Sequence, residues 1–188
     1  MKIKNILFII LLSSCITPLQ GQEKNIDLSL SEIKWVGKEI TSKTHFGSLK
    51  FKSGSLSIDN GMVTDGKFTV DMNSLENKDL TGESKDYLEN HLRSESFFGV
   101  EQHPTATLKI ISSKRVDEGK HSVLGDLTIK NISKPISFDL IINERGATAE
   151  LIFDRSKYNV KFRSSSFFED LGDKLIYDDI KLKVDLVF

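Results

Sequence analysis

The chain has 188 residues, and its 26 Lys and Arg against 27 Asp and Glu give a formal net charge of −1 at pH 7. Both signs are interspersed without a basic stripe, so the sequence lacks the electrostatic footprint of a nucleic-acid-binding protein. The single cysteine, Cys15, lies near the N-terminus, which excludes an internal disulfide and a thiolate metal site from the rest of the chain.

Residues 1–22 are predicted to be an export signal rather than part of the fold. Lys2 and Lys4 precede an apolar run over residues 6–12, and small and polar residues follow, which is the order of a secretory signal peptide. The run is far shorter than the ~20 apolar residues that span a bilayer. Residues 23–188 are expected to form one domain.

Two cleavage sites fit this signal. Residues 12–15 resemble the lipobox of bacterial lipoproteins, in which the cysteine is acylated, and Cys15 would then be a lipidated membrane tether. Cleavage near Gly21 would instead release a soluble protein. Both alternatives export the protein, and the sequence does not choose between them.

The remaining sequence is typical of many short strands separated by turns. Apolar and polar residues alternate with period 2, so one face of each strand is apolar, at 66–72, 136–142, 150–154 and 180–188. Further strands are predicted at 31–41, 45–52, 54–59, 105–114 and 121–130. Turn residues separate several of them, at 59–61, 117–119 and 143–146. About nine strands in consecutive hairpins predict a sandwich or a barrel.

One segment departs from the strand pattern. Residues 81–92 are predicted to form a short helix within the long connection between Met72 and Thr105. Thr81 is the expected N-cap residue. Leu88 and Leu92 are four residues apart, so they share one face of this helix.

An ordered set of motifs resembles the YceI family. The motifs lie at residues 35–38, 45–47, 71–74, 91–106, 124–136 and 154–160. The resemblance extends from Ser31 to Phe188. The sequence departs from the family pattern at Tyr158-Asn159, where an aromatic residue followed by glycine is usual. Asn159 fits if its backbone is left-handed.

This resemblance implies an all-β fold, an eight-stranded antiparallel lipocalin-like barrel with one short helix in a long connection. It also implies location in the bacterial periplasm and, as in some members, an isoprenoid chain inside the barrel. The expected partner is therefore an apolar small molecule, a bound polyisoprenoid or another lipid, with no other cofactor. A homodimer is the expected default for a small exported barrel.

The candidate ligand-binding residues are the inward-facing apolar sets of the predicted strands. They are Trp35, Phe68, Val70, Met72, Leu108, Ile110, Leu127, Ile129, Phe138, Leu140, Leu151 and Phe153. The same pattern also fits a packed core without a cavity, and alternation alone does not separate the two.

No catalytic constellation is recognisable, so we expect a binding protein and not an enzyme. The histidines, His45, His91, His103 and His121, show no metal-ligand spacing and are interpreted as polar residues at turns and helix ends. The alternative for His91 and His103, which flank the helical segment, is that they orient the head group of a ligand. The acidic residues between Asp170 and Asp179 lack a calcium-loop register and are interpreted as a solvated loop.

The aromatic pairs Phe97-Phe98 and Phe167-Phe168 are interpreted as small packed clusters, with an apolar rim around a ligand entrance as the alternative. For the whole protein, the alternative to a carrier is a stress-related interaction module with a filled barrel and no ligand.

Overall fold

The computed structural model describes residues 22–188, so the predicted signal, both cleavage sites and Cys15 lie outside the described residues. The strands in this part of the chain are β1 (Gln22–Asn25), β2 (Glu32–Lys38), β3 (Thr44–Asp59), β4 (Met62–Asn77), β5 (Thr105–Asp117), β6 (Lys120–Ile129), β7 (Ile132–Asn143), β8 (Gly146–Asp154) and β9 (Asp179–Val187). One α-helix, α1, spans Gly82–Arg93, and two short 3-10 helices span Arg155–Tyr158 and Gly172–Lys174.

Strands β2 to β9 form a closed eight-stranded antiparallel barrel. Each strand pairs with the next along the chain, and β9 pairs with β2. At Trp35 the closure is visible in the register, because this residue of β2 pairs with Gly47 of β3 on one side and with Leu182 of β9 on the other. Short β1 pairs with the distal half of β3, where Gln22 lies opposite Ile58. The predicted barrel is therefore confirmed.

Gly54 explains one difference from the predicted strands. Residues 45–52 and 54–59 were expected to be separate strands, but they belong to the single strand β3. A Cβ at Gly54 would lie 2.7 Å from Cδ1 of Ile26 and 2.8 Å from Cδ1 of Phe68. This glycine therefore permits close packing inside a continuous strand and does not end it.

The two ends of the barrel are built differently. At the hairpin end, β3 and β4 are joined by Asn60 and Gly61, with φ of 49° and 74°, and this left-handed pair confirms the predicted tight turn. At the other end, which we call the helix end, α1, residues 94–104 and residues 155–178 cover the opening. The long connections thus gather on one side of the barrel.

Helix α1 packs on the barrel through the predicted face. Leu92 is buried, and Leu88 is half-buried against the core. Thr81 is the N-cap residue, as predicted, with extended backbone, but its side chain makes no capping hydrogen bond. Before the helix, the side-chain oxygen of Asn77 accepts a hydrogen bond from the backbone N–H of Leu80 at 2.9 Å. Between residues 22 and 188 there is no helix both long and apolar enough to cross a bilayer.

Candidate functional site

The inward side chains enclose an apolar cavity along the barrel axis. It consists of two adjoining spaces of about 90 Å³ and about 70 Å³. The first reaches the helix end, where Leu92 and Phe98 line it. The second extends towards the hairpin end. Both are bordered by the same residues at the middle of the barrel, Ile33, Val70, Ala106, Leu127 and Leu182.

Strand β9 shows that the barrel is hollow in its middle. Its inward residues at the two ends, Ile180 and Leu186, are buried. Leu182 and Val184 lie between them and are only partly buried, although both line the cavity. Their remaining exposure faces the internal space, because inward and outward positions alternate along a strand.

All twelve predicted ligand-binding residues lie on the cavity wall. Those at the helix side are Trp35, Met72, Ile129 and Phe153, those at the hairpin side are Phe68, Leu108, Ile110, Phe138, Leu140 and Leu151, and Val70 and Leu127 border both spaces. The structure therefore brings the whole set together around unfilled space. Contact with a ligand stays a prediction for each of them.

Other wall residues were missing from the predicted set. Leu182 and Val184 belong to the clear alternation of β9 and were recognisable from it. Phe51 was harder to place, since register shifts in β3 interrupt the alternation beside it. Leu92 and Phe98 come from the long connection, where no strand period indicates which side chains point inward.

Four rings, of Phe98, Phe97, His91 and Phe162, form an aromatic cover at the helix end. The ring of Phe97 lies 4.9 Å from Phe98 and 5.8 Å from His91, and His91 lies 4.2 Å from Phe162, measured between centroids. The predicted small cluster is thus present for Phe97-Phe98. It is wrong for Phe167 and Phe168, which are 42% and 49% exposed.

Burial of the His91 imidazole lowers its pKa, and the nearby positive charge of Arg163 lowers it further. The neutral form is therefore favoured at neutral pH. Its Nε2 atom is buried without a hydrogen-bond partner among the described residues. His91 is thus a half-buried part of the aromatic cover as well as a helix-end residue.

The buried side chain of Arg155 links residues 159–178 to the barrel. The guanidinium of Arg155 donates hydrogen bonds to the backbone oxygens of Val160, Ile176 and Tyr177 at 3.2, 3.0 and 3.3 Å, and it lies 3.2 Å from Asp178. Burial lowers the pKa of Arg155, while the charges of Asp178 and Asp154 oppose this effect. Sequence reasoning missed this role, whose only local signal was an arginine within a recognised motif.

The interpretation of the acidic residues 170–179 as a solvated loop is wrong for Asp178. Its side chain is 14% exposed and accepts hydrogen bonds from the hydroxyls of Ser164 and Ser166 at 2.8 Å each. Asp170, Asp173 and Asp179 are exposed as expected. Asp178 differs because it balances the charge of Arg155.

The other histidines have separate surroundings. His121 is 1% exposed, and its Nε2 atom lies 3.0 Å from the backbone oxygen of Gly61, so its interpretation as a turn residue is wrong. His45 contacts Asp79 at 2.7 Å, and His103 is half-buried in the connection before β5. Within residues 22–188, no group of three or more His, Cys, Asp or Glu is placed to hold a metal ion.

Comparisons with known proteins agree with this architecture. A UPF0312 protein of Ectopseudomonas mendocina (strain ymp) is 28% identical over 117 residues, which are 62% of this chain and 56% of that relative. This chain thus spans little more than half of the relative's length.

Two solved structures share the fold. Burkholderia cenocepacia BcnA superposes with a TM-score of 0.67 at 20% identity, over 87% of this chain and 99% of that chain. A polyisoprenoid-binding domain from Saccharophagus degradans, implicated in plant cell wall breakdown, superposes with a TM-score of 0.55 at 14% identity, over 86% of this chain and 95% of that chain. The YceI-like domain model matches residues 25–188. This chain therefore belongs to the YceI-like domain family.

Proposed function

We propose that this protein binds or carries an apolar, isoprenoid- or lipid-like molecule inside its barrel. The observation that carries the proposal is the hollow middle of the barrel, where Val70, Leu108, Leu182 and Val184 line one unfilled space. An apolar chain placed there gains about 0.8 kcal/mol for each CH₂ group removed from water. The solved domain from Saccharophagus degradans, described as polyisoprenoid-binding, supports the same class of ligand.

The size of the cavity limits what enters without rearrangement. An apolar cavity of about 150 Å³ holds a benzene-sized molecule, whereas drug-sized ligands occupy pockets of about 300–1,000 Å³. The spaces of about 90 Å³ and about 70 Å³ are therefore too small for a long isoprenoid. Binding requires the wall to widen, and the unbranched side chain of Met72 is suited to such repacking.

A titration tests this proposal directly. Trp35 is the only tryptophan of the chain and lines the cavity, so its fluorescence reports occupancy without a label. Addition of geranylgeraniol should change the Trp35 emission, and this change should saturate near one equivalent of ligand. N-acetyltryptophanamide corrects for absorption by the ligand. Emission that stays constant after this correction, together with no bound ligand by equilibrium dialysis, would contradict the proposal.

The small volume of the cavity, about 90 Å³ and about 70 Å³, also favours a second candidate, an interaction module whose nearly filled barrel holds no ligand. In that case the inward side chains serve only the core, and partners contact the outer face. A protein that excludes every apolar probe but remains folded would support this candidate over the carrier.

We also propose export to the bacterial periplasm, based on residues 1–22. If Cys15 is acylated, the protein fractionates with membranes, and Cys15→Ser moves it to the soluble periplasmic fraction. If cleavage occurs near Gly21, the unmodified protein and Cys15→Ser are both soluble and have the same mature mass. Retention of both full-length forms in the cytoplasm would contradict export.

A further inference from the structure

A second pocket lies on the outside of the helix end. It has a volume of about 600 Å³ and lies between the turn after β2, α1 and residues 159–178. We call it the rim groove, and its lining residues include Glu39, Lys43, Glu83, Tyr87, His91 and Arg163. The groove is large enough to hold the polar group of a ligand.

The two basic residues of the rim groove have no acidic partner. Within residues 22–188, neither Lys43 nor Arg163 lies within 4 Å of a carboxylate oxygen. The Arg163 guanidinium lies instead 5.1 Å from the centre of the Phe162 ring. These two charges remain available for an external anion, with which arginine forms bidentate hydrogen bonds.

The two acidic residues of the groove each have a stabilising group nearby. Glu39 accepts a hydrogen bond from the Thr41 hydroxyl at 3.4 Å. Glu83 lies in the first turn of α1, where the partial positive charge of the helix offsets a carboxylate. The formal charges of Lys43, Arg163, Glu39 and Glu83 cancel. The feature that favours an anion is the local stabilisation of the two carboxylates, which leaves the two cations as the groups free to contact it.

The rim groove and the internal cavity lie close together. Leu88 lines the groove and Leu92 lines the cavity, and these residues are about one turn apart on α1, a rise of roughly 6 Å. The aromatic cover separates the two spaces, since His91 and Phe162 face the groove and Phe98 faces the cavity. One amphiphile can reach both when the cover moves.

We propose that the rim groove binds the oxyanion head group, a carboxylate or phosphate, of an amphiphile whose apolar tail occupies the barrel. Lys43 and Arg163 contact the oxyanion, and the cavity wall contacts the tail. This inference rests on the proposed function, because it requires an apolar ligand in the barrel.

The test compares ligands with one tail and different heads. Hexadecanoate, its methyl ester and hexadecylamine are titrated into the purified protein, and Trp35 fluorescence is measured. Hexadecanoate should bind roughly tenfold more tightly than the ester, the effect of charge-assisted hydrogen bonds. The double variant Lys43→Gln/Arg163→Gln should lose this advantage and retain the affinity for the ester. The control Lys109→Gln, an exposed lysine of β5 outside the groove, should behave as the unmodified protein.

Each other outcome overturns the inference in a distinguishable way. Equal affinity for acid and ester would leave the apolar binder intact and remove the head-group site. Tightest binding of hexadecylamine would show that Glu39 and Glu83 dominate the groove. An advantage of the acid that survives the double variant would place the anion elsewhere. Absence of binding by all three ligands would contradict the proposed function as well.

Discussion

The guanidinium of Arg155 is fully buried and lies 3.2 Å from a carboxylate oxygen of Asp178. The two residues are joined across the helix end, since Arg155 follows β8 and Asp178 precedes β9. A buried charge is costly unless it is paired and hydrogen-bonded, and three backbone oxygens complete the coordination of the arginine. This arrangement holds residues 159–178 in place beside the cavity.

Removal of the Asp178 carboxylate should strongly destabilise the protein. Asp178→Ala removes the carboxylate that forms an ion pair with the buried Arg155 and leaves only the weaker effect of Asp154, so the expected loss in the free energy of unfolding is about 3–5 kcal/mol. Urea denaturation measures it. The matched control is Asp179→Ala, because the neighbouring carboxylate is exposed and should matter by about 0.5 kcal/mol or less. Equal effects of the two substitutions would contradict the role of the pair.

Filling the cavity should block binding without unfolding the barrel. In Val184→Phe the larger ring enters the space that Val184 lines, and overpacking should cost about 1–3 kcal/mol at most. The Trp35 fluorescence response to geranylgeraniol should disappear. Lys183→Gln changes an outward residue of the same strand and should leave the response intact. Unaltered binding by Val184→Phe would place the ligand outside the barrel.

His91 should make the protein less stable in mild acid. Burial lowers its pKa in the folded state, so the unfolded chain, with a histidine pKa of about 6.5, binds the proton more strongly. Neutral His91 therefore contributes its full share to the free energy of unfolding above a pH of about 6.5. This contribution falls as the pH decreases below that value.

The variant His91→Phe retains an aromatic ring but cannot be protonated, so its loss of stability between pH of about 7.5 and about 5 should be smaller than that of the unmodified protein. Urea denaturation at both pH values measures the difference. Tyr87→Phe, on an exposed position of α1, should retain the full pH dependence. An equal loss of stability between the two pH values in His91→Phe and in the unmodified protein would contradict the assignment of this pH dependence to His91.

Asp79 should stabilise the start of β3. Burial alone would raise its pKa, but hydrogen bonds from the Phe46 N–H, His45 and Asn77 more than compensate and lower it. Its contribution is therefore present above pH of about 4 and is lost as the pH falls through the lower folded-state pKa.

Asp79→Ala should cost about 1–3 kcal/mol, because it removes the acceptor of the Phe46 N–H and one of the two acceptors of the Asn77 amide. Hydrogen exchange of the Phe46 amide should accelerate at neutral pH. Asp86→Ala removes an exposed carboxylate of α1 and should leave this exchange unchanged. Unchanged exchange in Asp79→Ala would show that the bond at 2.8 Å does not protect the amide.

The cavity wall was the most predictable feature, for a physical reason. Alternation with period 2 assigns each side chain to one face of a strand whatever its partners are, so residues such as Phe68, Leu127 and Phe153 were placed correctly. The same alternation does not indicate whether the space inside the barrel is filled by side chains. A filled core and a hollow barrel need the same alternation. The space becomes visible only in the folded structure, in the partial exposure of Val70, Leu108, Leu182 and Val184 on the cavity wall.

The helix end was less predictable because its contacts join distant parts of the chain. Arg155 binds backbone oxygens more than 20 residues away, at Ile176 and Tyr177, and backbone oxygens carry no sequence signal. Gly54 was misassigned for a related reason, since the side chains that require a glycine there, Ile26 and Phe68, come from other segments.

Native mass spectrometry of the purified protein tests the central claim most directly. We predict that incubation with a polyprenyl lipid yields a one-to-one complex, that organic solvent extracts the lipid, and that Val184→Phe forms no such complex. A protein that stays at its bare polypeptide mass throughout, while circular dichroism shows an intact barrel, would contradict the claim that this chain binds an apolar ligand.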